Sequence, residues 1–383
     1  MAGSSMPIEI QEEIIKRIPD VKSLVRFRSV SKAWKSVIDS PSFVNDHTRQ
    51  CQHHPRHQLV TYGRWKSLVH DYIYSSAVVD DDDSFCQQEV MRPTILYPAP
   101  ADGSIQRSSS SHGLVCVYPF IERCWETTAT AVIWNPAITR KPISIDVTIP
   151  SSLPHYNKGV VGFGVCPRTL DPKLVKITRD DHDYTIPWQV EVYTLSSGIW
   201  RSINHNLPPR TLGFHFEHVV VDHGFIYWLS TYFDDEFQQE LNMIMSFDVT
   251  TEEFVLVYLP DSLATYRLVD VVLSTRMDSL VVIEKPCYGV WKMEEHGVTR
   301  TFTKLFHIRT PAEETVLDRV HGFRNNGEPI IEVINHQLQN RGLYAYEPLL
   351  GRTIKFTGID IDKEEELIKC VTSYTETLLL FDQ

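Results

Sequence analysis

The side chains most able to do chemistry in this 383-residue chain are its histidines, cysteines and acidic clusters. Cys51, His53, His54 and His57 lie close together, and four such ligands could bind zinc. Their spacing fits no closed structural site, and a polar connecting segment can hold such residues without use, so no metal is expected. His215-Phe216-Glu217-His218 has the residue types of a zinc-protease helix, but with the wrong spacing and in a β-rich context. Gly162-Phe163-Gly164-Val165-Cys166-Pro167 starts like a dinucleotide loop. Pro167 takes the place of its third glycine and no helix follows, so it reads as a closely packed strand. No Gly-x-Ser-x-Gly elbow occurs, and the Asp80–Asp83 block reads as a solvated turn. No catalytic constellation and no cofactor site is therefore expected.

Composition narrows the function classes further. Residues 1–50 carry a formal charge of +2, leaving −14 on the remainder. An acidic body argues against a phosphate-binding surface, so nucleic acid is not the expected partner. The seven cysteines are scattered and contain no Cys-x-x-Cys pair, which suggests neither a disulfide framework nor a zinc site. With no apolar run of spanning length, no membrane partner is expected, and the chain reads as cytoplasmic or nuclear.

The first elements are helical. Ile10, Ile14, Ile15 and Ile18 fall on one stripe between Pro7, suited to a first turn, and Pro19, which stops the helix. A second helical stretch, bent near Ser29–Ser31, carries Leu24, Phe27, Val30, Trp34, Val37 and Ile38 and ends at Pro41. So small a unit cannot bury much of its own apolar surface. Either it packs on the rest of the chain, or it is a docking module whose apolar residues await another protein.

The run Met6-Pro7-Ile8-Glu9-Ile10, then Ile14 to Pro19, then Lys22-Ser23-Leu24-Val25-Arg26-Phe27-Arg28-Ser29-Val30-Ser31-Lys32-Ala33-Trp34, closely resembles the F-box of plant F-box proteins. Met6 and Ile18 replace the leucines usual before the two prolines, and Val21 stands where proline is common. The resemblance implies a Skp-type adaptor as partner and, through it, a cullin scaffold. It also implies that Pro7, Ile10, Ile14, Ile15, Pro19, Leu24, Val30 and Trp34 supply the adaptor-facing or supporting surface. The expected division is an F-box over 1–45, a polar linker over 46–57 and a recognition domain over 58–383.

Beyond the linker, short β-branched and aromatic runs alternate with turn residues. Marker aromatics Trp134, Tyr193, Phe247, Trp291 and Tyr346 recur every 44 to 59 residues, each opening a third-to-fourth strand hairpin. Preceding strand pairs carry turns such as His112-Gly113, Asp222-His223-Gly224 and Asn325-Asn326-Gly327. The expected fold is thus mainly β with a small α-helical N-terminal module: a β-propeller-like domain of about six four-stranded units. Strands over 368–374 and 377–381 are expected to join strands over 72–79 and 86–91 in the last unit and so close the ring, with 58–62 unplaced.

The same region resembles the F-box-associated domain, related to the kelch-type F-box proteins. Ser111-His112-Gly113-Leu114, Trp134-Asn135-Pro136, Gly162-Phe163-Gly164, Trp200-Arg201-Ser202 and Phe247-Asp248 carry the likeness. In such a ring, loops joining second to third strands share a face with the inter-unit loops, and these are long and aromatic. Trp125, Tyr156, Tyr184, Trp188, Arg210, Phe214, Phe216, Tyr232 and Phe233 are the candidate target-binding residues there. The reading is a non-catalytic substrate-recognition subunit of an SCF-type ubiquitin ligase that captures an unknown target protein. Two alternatives stay open: an F-box protein acting outside a ligase, and a propeller-type ligand-binding module.

Overall fold

The computed structural model describes residues 6–18, 20–52, 57–66, 71–81, 87–98, 107–118, 128–138, 142–148, 157–180, 187–204, 206–208, 211–236, 238–267, 270–277, 279–285, 287–296, 299–309, 315–335, 340–356 and 366–380. Pro7 opens α1 (Ile8–Lys16). Asp20 caps α2 (Val21–Phe27) by accepting the Ser23 N–H at 2.7 Å, and Ser31 caps α3 (Lys32–Ile38) by accepting the Trp34 N–H at 3.1 Å. These two caps explain the break over 28–31. The Arg28 guanidinium, paired with the Asp39 carboxylate at 2.5 and 2.6 Å, ties its two sides together. The segment expected as a polar linker is helical as far as Gln52: α4 (Pro41–Gln52) starts on the proline expected only to end α3, because the first helical position needs no N–H.

The rest is β. Among the described residues the strands form six four-stranded antiparallel sheets. Five use strands consecutive in sequence. The first holds β4 (Arg107–Ser111), β5 (Leu114–Tyr118), β6 (Thr128–Trp134) and β7 (Ile143–Thr148). Next come β8 (Asn157–Val165), β9 (Pro172–Asp180), β10 (Gln189–Thr194) and β11 (Ile199–Ser202). The third is β12 (Thr211–Asp222), β13 (Phe225–Asp234), β14 (Gln239–Asp248) and β15 (Phe254–Tyr258), followed by the short α5 (Asp261–Ala264). The last two are β16 (Val271–Arg276) to β19 (Thr299–His307), through β17 (Ser279–Glu284) and β18 (Gly289–His296), and β20 (Thr315–Phe323) to β23 (Arg352–Lys355), through β21 (Pro329–Asn335) and β22 (Asn340–Glu347).

The remaining sheet joins the two ends of the chain in the order β24 (Glu366–Tyr374), β1 (His57–Lys66), β2 (Asp71–Asp80), β3 (Gln87–Pro98). The unplaced 58–62 segment is therefore part of the second strand. The strand expected over 377–381 does not form in its described part, 377–380, because β1 already occupies that edge of β24, pairing His57 opposite Tyr374. First strands β4, β8, β12, β16, β20 and β24 meet their neighbours in ring order. The result is a β-propeller preceded by a small helical module.

Close approach explains several glycines. A Cβ on Gly162 would lie 2.5 Å from Trp228 Cζ2, so the Gly-Phe-Gly run is the closely packed strand expected from its sequence. A Cβ on Gly322 would lie 2.1 Å from the Val371 carbonyl, where β20 meets β24. His112 and Gly113 both have positive φ, as do His223 and Gly224, which gives the tight turns that the twist of a two-residue hairpin requires.

Candidate docking surfaces

The helical module separates the implied adaptor residues into two sets. Ile15 and Leu24 are fully buried and share a core with Val21, Ile38 and Phe43. Ile10, Ile14 and Val30 are 51%, 47% and 62% exposed, and Pro7 is exposed beside them in sequence to Met6, 48% exposed. Trp34 is half-buried, edge-on to Phe27 at 5.5 Å, and its Nε1 donates to Gln11 Oε1 at 2.5 Å. Pro19 lies outside the described residues. Several large apolar side chains are thus exposed on a small unit.

The module's core is completed by Ala137, Ile138 and Leu378 from the β domain and the chain's C-terminal segment. Thr48 Oγ1 and Thr377 Oγ1 are 3.1 Å apart, and the Arg49 guanidinium donates to the Arg168 carbonyl at 2.8 Å. Burial holds His47 below the ordinary histidine range even though its Nε2 lies 3.0 Å from the Ile18 carbonyl. Ala137 and Ile138 belong to the β6–β7 turn, and Arg168 to the β8–β9 turn. In an antiparallel four-strand unit, first-to-second and third-to-fourth turns share one face. The helices thus sit on the face of short turns, and the second-to-third and inter-sheet connections emerge on the other.

On that far face the structure redistributes the candidate target residues. Trp188 and Phe214 are 4% and 6% exposed and pack edge to face at 5.1 Å. The Arg179 guanidinium lies 4.4 Å from the Trp188 ring centroid, and the indole N–H donates to the Thr211 carbonyl at 3.0 Å. Burial corrects their place: both lie in the packing between two sheets, not on a contact surface. Tyr232 and Phe233 end β13 half-buried on the far face. Tyr232 packs edge to face on Tyr258 at 6.0 Å, and burial, with the nearby Asp234, Tyr258 and Asp261, pushes its hydroxyl upward. Phe216 lies in β12, while Trp125, Tyr156, Tyr184 and Arg210 lie outside the described residues.

Sequence reasoning missed Tyr258, 61% exposed at the end of an outer strand. It also missed Asp81, expected in a solvated turn. Its carboxylate accepts the Asn325 N–H at 2.9 Å and pairs with Arg324 at 3.3 Å, joining two sheets. Among the described residues no group of three or more His, Cys, Asp and Glu is placed to hold a metal; His53 and His54 lie outside them. No described helix is long and apolar enough to cross a membrane.

Comparison with known proteins adds family likeness to this geometry. An F-box domain model matches residues 4–46, and an F-box associated beta propeller domain model matches residues 70–275. An F-box protein of Arabidopsis thaliana is 25% identical over 385 residues, covering 95% of this chain and 88% of that one. F-box protein CPR1 of the same plant is 24% identical over 331 residues, covering 80% and 74%. An F-box/kelch-repeat protein, also from Arabidopsis thaliana, is 25% identical over 326 residues and 79% of each chain.

Proposed function

Because this chain belongs to the F-box proteins that carry an F-box-associated β-propeller, we propose that it is the substrate-recognition subunit of an SCF-type ubiquitin ligase. Its F-box engages a Skp-type adaptor, which hangs from a cullin scaffold, and its propeller captures a target protein. The carrying observation is the exposed set Ile10, Ile14 and Val30 on helices fixed to the short-turn face, opposite the far-face connections. One face is then free for a target while the other carries the helices.

The chain itself is non-catalytic in this reading. It contributes proximity, raising the effective concentration of bound target at a charged conjugating enzyme carried by other subunits. Cytoplasm and nucleus are the compartments it works in, and the plant source of its relatives supports a plant ligase.

Affinity purification of the full chain co-expressed with a Skp-type adaptor and a cullin tests this. A stoichiometric complex containing all three supports the reading. Adaptor without cullin would move the chain outside a ligase, and a folded chain that captures neither would overturn the proposal.

A further inference from the structure

The segment after β24, residues 375–380, joins no sheet, and its side chains divide between two structures. Leu378, 0% exposed, completes the core of the helices. Leu379, 7% exposed, packs instead in the propeller beside Leu114, Phe163 and Leu170. The backbone between them is held from the propeller side. Asn135 Nδ2 donates to the Thr377 carbonyl at 2.8 Å and to the Leu379 carbonyl at 2.7 Å, and Asn135 Oδ1 accepts the Ala137 N–H at 2.8 Å. From the helical side, the Glu376 carboxylate accepts the Val21 N–H at 3.2 Å, and Thr48 Oγ1 meets Thr377 Oγ1. The strap also lies close beneath the β4–β5 turn: a Cβ on Gly113 would be 2.5 Å from the Thr375 carbonyl.

We infer that residues 375–380 are a structural part of the F-box module, completing its core and splinting it to the propeller, although they lie over 320 residues from α4. Four short helices cannot enclose Ile15, Val21, Leu24, Ile38 and Phe43 by themselves, and Leu378 supplies the missing wall together with Ala137 and Ile138. Asn135 reads the strap through its backbone carbonyls. This makes the asparagine a positioning residue and leaves the identity of Leu379 to packing, while the Thr377 hydroxyl meets Thr48 and accepts the Leu379 N–H at 3.2 Å. The splint stands on contacts within the chain. Its effect on adaptor capture rests on the function proposed above.

Hydrogen–deuterium exchange on the full chain tests it, comparing wild type with a chain ending at Tyr374, with Leu378→Ala and with Asn135→Ala. The expected result is amide exchange in α1–α3 at least tenfold faster in the truncated chain and in Leu378→Ala, and measurably faster in Asn135→Ala. Strands β12–β15 should stay as protected as in wild type. Exchange in α1–α3 within twofold of wild type in both point variants would overturn the splint. If the truncated chain loses protection in β12–β15 as well, the point variants decide. Capture of a purified Skp-type adaptor is measured in parallel. Failure of the wild type to capture it refutes the adaptor reading and leaves the exchange result to judge the splint.

Discussion

Converting Ile10, Ile14 and Val30 together to serine removes the exposed apolar set of the helices without entering their core. Each is roughly half exposed, at 51%, 47% and 62%. Fully burying such a side chain contributes about 1.5–3 kcal/mol, so covering the half still open contributes about 1 kcal/mol per residue. The three together are worth about 3 kcal/mol, or roughly a hundredfold in Kd for the adaptor. Titration calorimetry against a purified Skp-type adaptor, paired with a thermal melt, measures both sides. The triple variant should bind about a hundredfold more weakly and melt close to wild type. Leu24→Ala is the contrast: Leu24 is 0% exposed, and its loss costs about 2–5 kcal/mol of module stability. A triple variant that binds within threefold of wild type, or that melts as early as Leu24→Ala, would refute the division of these residues into contact and core.

Trp188→Ala should lower the melting temperature, at a cost of about 3–5 kcal/mol, whereas Tyr258→Ala should leave it almost unchanged, since one ring is buried between sheets and the other is 61% exposed. Gly162→Ala should cost about 1–3 kcal/mol by overpacking against Trp228, read by chemical denaturation. The Glu332 carboxyl, pushed up by burial but pulled down more by His321 at 2.8 Å and Arg341 at 2.9 Å, sits at about 2 against its ordinary 4.5. Its folded value is depressed, so its contribution of up to about 3 kcal/mol is complete above pH 4.5 and is lost as pH falls towards 2. In Glu332→Gln the acid-unfolding curve should be shallower across that window, and an unchanged curve would remove the carboxylate from the account.

The hairpins were readable in the sequence because each turn carries residues that accept positive φ, such as His112-Gly113 and His223-Gly224, between runs rich in β-branched and aromatic residues. The F-box was readable from its ordered run of residues, although the single isoleucine stripe was too coarse. Ile15 follows Ile14 by one residue, which turns it about 100° round the helix and into the core, while Ile10 and Ile14 stay on the open side. What escaped was set by partners distant in sequence. Whether Thr377-Leu378-Leu379 forms a strand or a strap depends on β1 already occupying the edge of β24, and no local pattern encodes that. Asp81 looked solvated because its neighbours are carboxylates, while its partners Arg324 and Asn325 lie more than 240 residues away. Trp188 and Phe214 were assigned to a contact surface because aromatic residues near loop ends read alike whether buried or exposed.

Pairing β24 with β1 also sets a schedule for synthesis. The second strand of the composite sheet ends at Lys66 and its first strand begins at Glu366. At about 5–20 residues per second, roughly 15–60 s separate their emergence from the ribosome. Throughout that interval β1 has its hydrogen-bonding edge unmatched, and the helices lack the wall that Leu378 supplies. The nascent chain therefore completes its ring and its docking module late and nearly together. A polypeptide released early would expose both an open sheet edge and an unfinished helical core to the cell's chaperones and proteases.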